Sequence, residues 1–273
     1  MVGGFTPAER GVITLADGAK VFIKMATDEN TAKWIGKEIR TYRKLTEVGY
    51  EYMPLLLAVR DDQKAFAIEY LEGASFENDW DKDKLEAVVR AQTALKDITE
   101  SFVGDPDYKS GDVVDTEPRW PQLLEADNLE RVNQKLSKLG ASSRFTKEQI
   151  EDFARLHIGW SVKEDTLVHE DIRADNFGYN PVTKQGKLVD WNWICVGDAS
   201  LDTTPLFINM YKGDFNAYQY HPEKYDKLMI IYLIGFWLAS VLGGNEDSSE
   251  RELRLRTAQA ESIDICVELL SRQ

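Results

Sequence analysis

The chain has 273 residues, of which 43% are hydrophobic and 29% are charged, and its formal net charge is −14 at pH 7. This length and apolar content suit a globular protein that buries a sizeable core, and two lobes sharing an interface are expected. Because proteins bind nucleic acids through surplus Lys and Arg, the acidic balance excludes nucleic acid as the main partner. An acidic surface attracts cationic ligands, although it also serves solubility alone.

The two cysteines and the strongest apolar run bear on the compartment. Cys195 and Cys266 lie far apart, near no second patterned Cys or His, so buried thiols in a reducing compartment are predicted. The run from Met229 to Leu242 is too short to cross about 30 Å of hydrocarbon and predicts a core helix. The N-terminus lacks the apolar core of a signal peptide. We therefore expect a cytoplasmic protein with no membrane partner.

The first seventy-two residues predict a small sheet around one helix. Residues 11–24 form two apolar runs separated by Ala-Asp-Gly-Ala, which is the pattern of a β-hairpin. Apolar side chains then recur at helical spacing over residues 31–45. Two further strands are predicted at residues 53–60 and 64–71, with an Asp-Asp turn between them.

From Gly73 onward the pattern becomes mostly helical. Helices are predicted over residues 83–101, 146–159, 222–242 and 249–271. Thr146 and Gln149 fit a capping box at the start of the second of these. The expected fold class is α+β, with an N-terminal lobe over residues 1–72 and a larger, mostly helical lobe over residues 73–273. The segment Glu-Tyr-Leu-Glu-Gly would join the lobes, with a cleft between them.

The stretch LVHEDIRADNFGYN carries the candidate chemistry. It contains His169, Asp171 and Asn176 in the pattern H-x-D-x-x-x-x-N, and Asp190 follows at the end of the short apolar run KLVD. Carboxylate and amide oxygens are hard ligands that suit Mg²⁺. With Asn176 and Asp190 as metal ligands, Asp171 remains to accept a proton from a hydroxyl nucleophile. Phosphoryl transfer needs mainly positioning and charge neutralisation, so these residues predict that reaction.

Cations and one further acid complete the candidate site. Lys24 ends the second hairpin strand, where its ammonium could reach nucleotide phosphates. Glu38, on the inward side of the following helix, could hold Lys24 extended, or it could form an ordinary surface pair with a neighbouring cation. Arg173 could contact the transferred phosphoryl group or pair with Asp175.

The chain resembles the aminoglycoside phosphotransferase and choline kinase-like branch of the protein-kinase-like superfamily. The segments HEDIRADN, LVDWNW and GDASLD carry the resemblance. Members of that branch often read H-G-D-x-R-x-D-N, then a strand ending in D-W, then G-D-x-x-x-D. Upstream, FIK, KEIR and IEYLEG stand in the order of the strand lysine, the helix glutamate and the interlobe hinge. The similarity extends over essentially the whole chain.

The resemblance implies a bilobal kinase fold that binds ATP with Mg²⁺ and transfers a phosphoryl group to a small-molecule hydroxyl. By position it assigns the base, two metal ligands, the phosphate-binding lysine and two hinge residues whose backbone would meet adenine: Asp171, Asn176, Asp190, Lys24, Glu69 and Leu71. Asp202, in GDASLD, would brace the catalytic loop or a following helix. His169 would support the backbone geometry of that loop.

Two departures from the family pattern affect the expected site. The phosphate-covering loop is not G-x-G-x-x-G. Its only candidate is GGFTP, where the backbone of Gly4, Phe5 and Thr6 would cap phosphates. Glu170 stands where the family often has glycine, and it either favours a cationic acceptor or points into solvent.

The favoured function is an ATP- and Mg²⁺-dependent kinase that phosphorylates a hydroxyl of an amino sugar, aminoglycoside or amino alcohol. Trp191 and Trp193 either line the acceptor pocket or pack in the core. The alternative is a nucleotide-binding pseudokinase that regulates a partner. A protein kinase is disfavoured because no A-P-E segment is evident and little length remains for an activation loop after Asp190.

Overall fold

A computed structural model describes residues 7–110, 119–244 and 249–272. The N-terminal part contains a four-stranded antiparallel sheet in the order β1-β2-β4-β3. Its strands are β1 (Glu9–Thr14), β2 (Lys20–Met25), β3 (Leu56–Val59) and β4 (Ala65–Glu69). One helix, α1 (Glu29–Glu47), stands between β2 and β3 in the sequence. The predicted hairpin, helix and pair of strands are therefore confirmed.

A tight turn joins β1 to β2. Gly18 adopts φ +85°, a conformation that costs glycine no steric energy, and the Ala19 N–H donates to the Asp17 carboxylate at 3.0 Å. The register of the hairpin places Arg10 directly opposite Lys24. Because side chains of directly paired residues lie on the same face of a sheet, Arg10 and Lys24 are neighbours on one face.

The helix α1 begins at a capping box and buries one face. Asp28 is the N-cap, and its Oδ1 accepts the Thr31 N–H at 2.8 Å, which satisfies one of the unpaired donors of the first turn. The apolar stripe predicted from the sequence is at most 1% exposed: Ile35, Ile39, Tyr42 and Leu45. Glu38 lies on the same buried side, which brings a carboxylate against the sheet.

Two short antiparallel strand pairs carry the motif segment. The pairs are β5 (Thr166–Val168) with β8 (Cys195–Gly197), and β6 (Phe177–Asn180) with β7 (Gln185–Leu188). Phe177 is paired with Leu188, and the Val189 N–H donates to the Asn176 carbonyl at 3.0 Å, just outside that pair. This β6–β7 hairpin therefore places Asp190 one residue beyond the partner of Asn176.

The remaining described structure is mostly helical. Its helices are α2 (Lys82–Asp97), α3 (Trp120–Leu124), α4 (Asn128–Lys138), α5 (Lys147–Leu156), α6 (Ser200–Lys212), α7 (Lys227–Gly243) and α8 (Glu250–Ser271). The Thr146 and Gln149 side chains form the predicted capping box of α5. The apolar helix α7 packs against α4 and α8, which confirms the predicted core helix. None of the described helices is both long and apolar enough to cross a lipid bilayer.

Contacts within the chain define two compact units. The first comprises Met1–Val114 with Lys163–Asp202, and the second comprises Asp115–Val162 with Thr203–Gln273. The first unit contains the sheet, α1, α2 and both short strand pairs. The second contains α3, α4, α5, α7 and α8. A lobe boundary after residue 72 stays a prediction.

At Gly186, on β7, the backbone lies so close to an aromatic ring that a side chain would overlap the ring. A Cβ at this position would overlap three ring atoms of Phe177, whose side chain is fully buried and stacks on Trp80. We expect Gly186→Ala to lower the free energy of unfolding by about 2 kcal/mol, because overpacking a closed core forces side chains off their rotamers. Gly36→Ala, inside α1, should instead raise stability by about 0.5–1 kcal/mol. Urea unfolding measures both, and a Gly186→Ala variant as stable as wild type would contradict the expectation.

Candidate active site

Lys24 is the centre of a buried charge network. Its Nζ donates to Glu38 Oε2 at 2.6 Å and to Asp190 Oδ1 at 2.8 Å. The Lys24 and Glu38 residues are only 4% and 2% exposed, so Glu38 pairs with the strand lysine and not with a surface cation. Burial opposes the ammonium charge, but attraction to Glu38 and Asp190 outweighs it and raises the pKa of Lys24. Burial raises the pKa of Glu38 to about 7, although Lys24 opposes this shift.

Asp190 lies between three donors in a strained backbone conformation. Its φ of +69° is in the left-handed region, which is uncommon for an aspartate and typical of functional positions. Besides Lys24, the Asn192 side-chain amide donates to Oδ1, and Arg10 Nη2 lies 3.9 Å from Oδ2. Burial alone would raise the pKa of Asp190, but Lys24 and Arg10 lower it below its usual range. The carboxylate is therefore ionised and suited to a cationic ligand.

Asp171 has the environment of a base that titrates near neutral pH. Its Oδ2 accepts a hydrogen bond from Asn176 Nδ2 at 2.9 Å, and its Oδ1 lies 3.1 Å from Arg173 Nη1. Burial raises the pKa of Asp171 to about 7, even though the Arg173 charge lowers it. A general base works best when its pKa lies close to the operating pH.

His169 supports the loop that carries Asp171. The Asp171 N–H donates to His169 Nδ1 at 3.3 Å, and His169 Nε2 lies 3.0 Å from the Val189 carbonyl. These two partners place the ring proton on Nε2, which donates to Val189. Burial lowers the pKa of His169 to about 4, so the ring is neutral at pH 7. The expected structural role is thus supported by its contacts.

Arg173 contacts two carboxylates at once. Its Nε and Nη2 pair with the two oxygens of Asp175 at 3.0 and 3.1 Å, while Nη1 faces Asp171. Both alternatives drawn from the sequence are therefore compatible with its position. The two hydrogen bonds to Asp175 hold the guanidinium beside Asp171, the candidate base.

Asp202 supports the loop that carries Asp171 by accepting two backbone hydrogen bonds. Its Oδ2 accepts the His169 N–H at 2.9 Å, and its Oδ1 accepts the Glu170 N–H at 2.7 Å. Glu170 itself has φ +69°, a left-handed conformation that glycine adopts more readily than a residue with a side chain. Burial and the charges of Asp202 and Asp171 raise the pKa of Glu170 well above its usual range.

The buried Asp202 predicts a pH-dependent stability. Burial raises its pKa to about 7, despite the two backbone donors, whereas an unfolded Asp titrates near 3.8. The folded state therefore holds the proton more tightly, and the free energy of unfolding falls as pH rises from about 4 to 7. In Asp202→Asn this decline should become shallower by up to about 1.4 kcal/mol per pH unit. Urea unfolding of both proteins between pH 5 and 8 tests this, and parallel curves would contradict it.

A cavity of about 570 Å³ lies within the first compact unit, and Lys24, Glu38, Asn176 and Asp190 belong to its lining. Asp171 is linked to this lining by its hydrogen bond from Asn176. The charged and amide side chains of the cavity lining include Arg10, Lys24, Glu38, Asp175, Asn176 and Asp190. Much of the remaining lining is apolar or belongs to the hinge, and includes Phe22, Phe66, Ile68, Glu69, Tyr70 and Leu71. A cavity that combines apolar side chains with the two cations Arg10 and Lys24 suits a molecule with a flat ring and a phosphate tail.

The two hinge residues offer different groups to this cavity. The Glu69 N–H donates to the Leu55 carbonyl at 2.9 Å, and the Glu69 side chain pairs with Lys187 at 2.7 Å. The Leu71 carbonyl accepts the Ala74 N–H at 3.2 Å. Within the described residues the Leu71 N–H has no acceptor, so it remains available to a ligand.

The donor set of Asn176 and Asp190 fits a hard divalent cation. Asn176 Nδ2 donates to the Asp171 carbonyl and to Asp171 Oδ2, both at 2.9 Å. Its Oδ1 accepts no hydrogen bond from the described residues. This leaves one amide oxygen and one ionised carboxylate, which is the number of protein ligands that Mg²⁺ commonly takes.

The other predicted residues differ in position. Gly4, Phe5 and Thr6 lie outside the described residues. Trp191 is fully buried, with its ring 4.6 Å from that of His169, whereas Trp193 is 42% exposed. We therefore interpret Trp191 as a packing residue and keep the acceptor hypothesis for Trp193. Sequence reasoning missed Arg10, because only the strand register shows that it is the neighbour of Lys24.

Comparisons with known proteins agree with this geometry. The model of the phosphotransferase enzyme family, APH, matches residues 8–224. No curated protein matches the sequence. The structure is similar to choline kinase LicA from Streptococcus pneumoniae, at 15% identity and a TM-score of 0.57, covering 96% of this chain and 91% of that one.

Two further solved structures are similar. An aminoglycoside phosphotransferase from Alicyclobacillus acidocaldarius has 13% identity and a TM-score of 0.54, covering 97% of this chain and 92% of that one. The amicoumacin kinase hAmiN, in complex with AMP-PNP, Ca²⁺ and Ami, has 14% identity and a TM-score of 0.52, covering 94% and 85%. These similarities confirm the predicted kinase-like α+β fold. Because the family match spans most of the sequence, the chain belongs to the phosphotransferase enzyme family, whose members are small-molecule kinases that use ATP.

Proposed function

We propose that the protein transfers the γ-phosphoryl group of ATP to a hydroxyl of a cationic small molecule, with Mg²⁺ as cofactor. The acceptor would be an amino sugar, an aminoglycoside or an amino alcohol. The observation that carries the proposal is that Lys24, Asp190 and Asn176 line one cavity, with Lys24 bonded to Asp190, and that Asn176 is hydrogen-bonded to the carboxylate of Asp171. This is the set of groups that phosphoryl transfer needs.

Asp171 acts as the base in this proposal. The acceptor oxygen attacks the γ-phosphorus, the bond from that phosphorus to the bridging oxygen breaks, and ADP leaves. The hydroxyl proton passes to the Asp171 carboxylate, whose pKa of about 7 allows it to accept a proton at neutral pH. Arg173, 3.1 Å from Oδ1, keeps that carboxylate in place and lies close enough to contact the transferred group.

The remaining residues bind and orient the nucleotide. The Leu71 N–H meets the adenine edge, and Glu69 contributes backbone at the same hinge. Glu38 holds the Lys24 ammonium at 2.6 Å, directed toward the phosphates. Asn176 and Asp190 hold Mg²⁺, and the chemistry that the ion supplies when bound is neutralisation of phosphate charge.

A cationic acceptor is supported by the surroundings of the base. Glu170 is the sequence neighbour of Asp171, and burial and the charges of Asp202 and Asp171 raise the pKa of its carboxyl. An ammonium group bound beside it would favour the ionised carboxylate and be attracted to it. The exposed Trp193 offers an aromatic face, which attracts ammonium groups. The net charge of −14 acts in the same direction. Choline and aminoglycosides, named for two of the similar structures, are both positively charged.

A panel of hydroxyl compounds tests the acceptor class. Amino sugars, aminoglycosides and amino alcohols are compared with uncharged polyols of matched size, and phosphate transfer from ATP is followed by ³¹P NMR. We expect transfer to at least one cationic compound, with kcat/KM at least about tenfold higher than for its neutral analogue. Equal rates for charged and neutral acceptors would remove the cationic class. No transfer to any acceptor would instead favour the nucleotide-binding pseudokinase.

Glu170→Gln isolates the contribution of that carboxylate. It should lower kcat/KM for the cationic acceptor about tenfold and leave the neutral analogue unchanged, since glutamine keeps the size of the side chain but cannot ionise beside a bound cation. Glu164→Gln provides the control. Glu164 lies shortly before β5, the strand that Glu170 follows, and its side chain accepts a hydrogen bond from Ser110. An identical loss for charged and neutral acceptors would show that Glu170 has only a structural role.

A further inference from the structure

Arg10 occupies a position beside the phosphate-binding lysine that no motif marks. It lies on β1 directly opposite Lys24, so both cations lie on the same face of the sheet. Its side chain is 18% exposed and lines the same cavity as Lys24 and Asp190. The guanidinium Nη2 is 3.9 Å from Asp190 Oδ2, on the other side of the carboxylate from the Lys24 ammonium.

The other charges around Lys24 nearly cancel, so Arg10 contributes a cation that the cavity otherwise lacks. Lys24 is matched by the buried Glu38 at 2.6 Å, so this pair together offers the phosphates little net charge. Asp190 adds a negative charge, and the protein as a whole carries −14. A polyanionic nucleotide therefore needs another local cation. The sequence before β1 also lacks the glycine pattern G-x-G-x-x-G, whose backbone N–H groups would cover phosphates.

Arg10 Nη2 lies farther from the Asp190 carboxylate than Lys24 Nζ does. The Arg10 separation of 3.9 Å is longer than a hydrogen bond, whereas Lys24 contacts the same carboxylate at 2.8 Å. Guanidinium groups bind phosphate oxygens with two parallel hydrogen bonds, and a lysine cannot do this. We propose that Arg10 leaves Asp190 and binds the β- and γ-phosphates of the nucleotide, as the second cation beside Lys24. This inference rests on the proposed function.

Metal-free nucleotide binding tests the proposal. Adenosine, AMP, ADP and ATP are titrated into wild type and Arg10→Met in EDTA by calorimetry. We expect Arg10→Met to weaken ADP and ATP binding about 10- to 100-fold, which is the effect of losing charge-assisted hydrogen bonds, and to leave adenosine within about twofold. Arg60→Met is the matched control, because Arg60 directly follows β3 of the same sheet but pairs with Asp62 at the β3–β4 turn. Its affinities should equal those of wild type.

A second comparison separates direct phosphate binding from an effect through Asp190. In an Asp190→Asn background, removal of Arg10 should still weaken ADP binding at least about fivefold. If the effect disappears in that background, Arg10 acts only by screening Asp190 and the proposal is overturned. Equal losses for adenosine and ATP would likewise show a structural role. Failure of wild type to bind ATP when Mg²⁺ is supplied would count against the proposed function itself.

Discussion

Asp171→Asn should lower kcat about 10³-fold while the KM for ATP changes less than about threefold. The carboxylate is the proposed proton acceptor, and loss of a general base typically costs 10²- to 10⁴-fold. The substituted amide keeps the shape of the side chain and an oxygen that can accept the 2.9 Å hydrogen bond from Asn176, so the loop should remain folded. Steady-state kinetics with the best acceptor measures the effect.

The matched control for this substitution is Asp83→Asn. Asp83 is an exposed aspartate paired with Lys184, remote from the cavity lining, and its removal should leave kcat unchanged. A proportional rise in the KM for ATP with kcat preserved would show that Asp171 binds nucleotide instead of accepting a proton.

The pH profile gives the same residue a second test. Burial raises the pKa of Asp171 to about 7, and only the ionised form can act as base. In wild type, kcat/KM should therefore fall about tenfold per pH unit below pH 7 and level off above it. The residual activity of Asp171→Asn should lack this inflection. An inflection that persists in the variant would assign it to another group.

Lys24→Met should both destabilise the protein and abolish nucleotide turnover. It leaves the Glu38 carboxylate, 2% exposed, without its ammonium partner, and breaking a buried ion pair in this way costs about 3 kcal/mol. Burial raises the pKa of Glu38 and Lys24 opposes this shift, so the carboxyl holds its proton more tightly once Lys24 is removed. The stability loss should therefore be larger at pH 8 than at pH 6. Urea unfolding at both values measures it.

A double variant distinguishes structure from function at this pair. Lys24→Met with Glu38→Gln removes the unpaired charge, so most of the lost stability should return. Turnover should stay at least about 10²-fold below wild type, because the phosphate-binding cation is still missing. If activity recovered together with stability, Lys24 would be a purely structural residue.

Local patterns were enough to predict the N-terminal elements. The two apolar runs around Ala-Asp-Gly-Ala became β1 and β2, and the helical spacing of Ile35, Ile39 and Tyr42 became the buried face of α1. Both signals are short in range and depend on chain periodicity alone. The strand lysine, the helix glutamate and the H-x-D-x-x-x-x-N segment were found because their order and spacing along the chain can be read directly from the sequence.

Other features depend on tertiary contacts that no local pattern encodes. The helix α6 is apolar on several sides and contains Pro205, so it lacks the amphipathic spacing that marks a helix, and α3 has only five residues. Trp191 and Trp193 are two positions apart in similar local sequence, yet one is fully buried and the other is 42% exposed. Their difference arises from packing against Tyr50 and His169.

The β6–β7 hairpin gives the proposed metal site a local origin. Asn176 and Asp190 are only fourteen positions apart in the sequence, and the register between Phe177 and Leu188 brings them together. Short closed loops lose little chain entropy when they form, so the two ligands can meet before distant parts of the chain are ordered. The site should not tolerate a one-residue deletion in β7, because the resulting shift in register would turn every following side chain to the opposite face. Added residues at the connecting turn, by contrast, would leave the ligand pair unchanged.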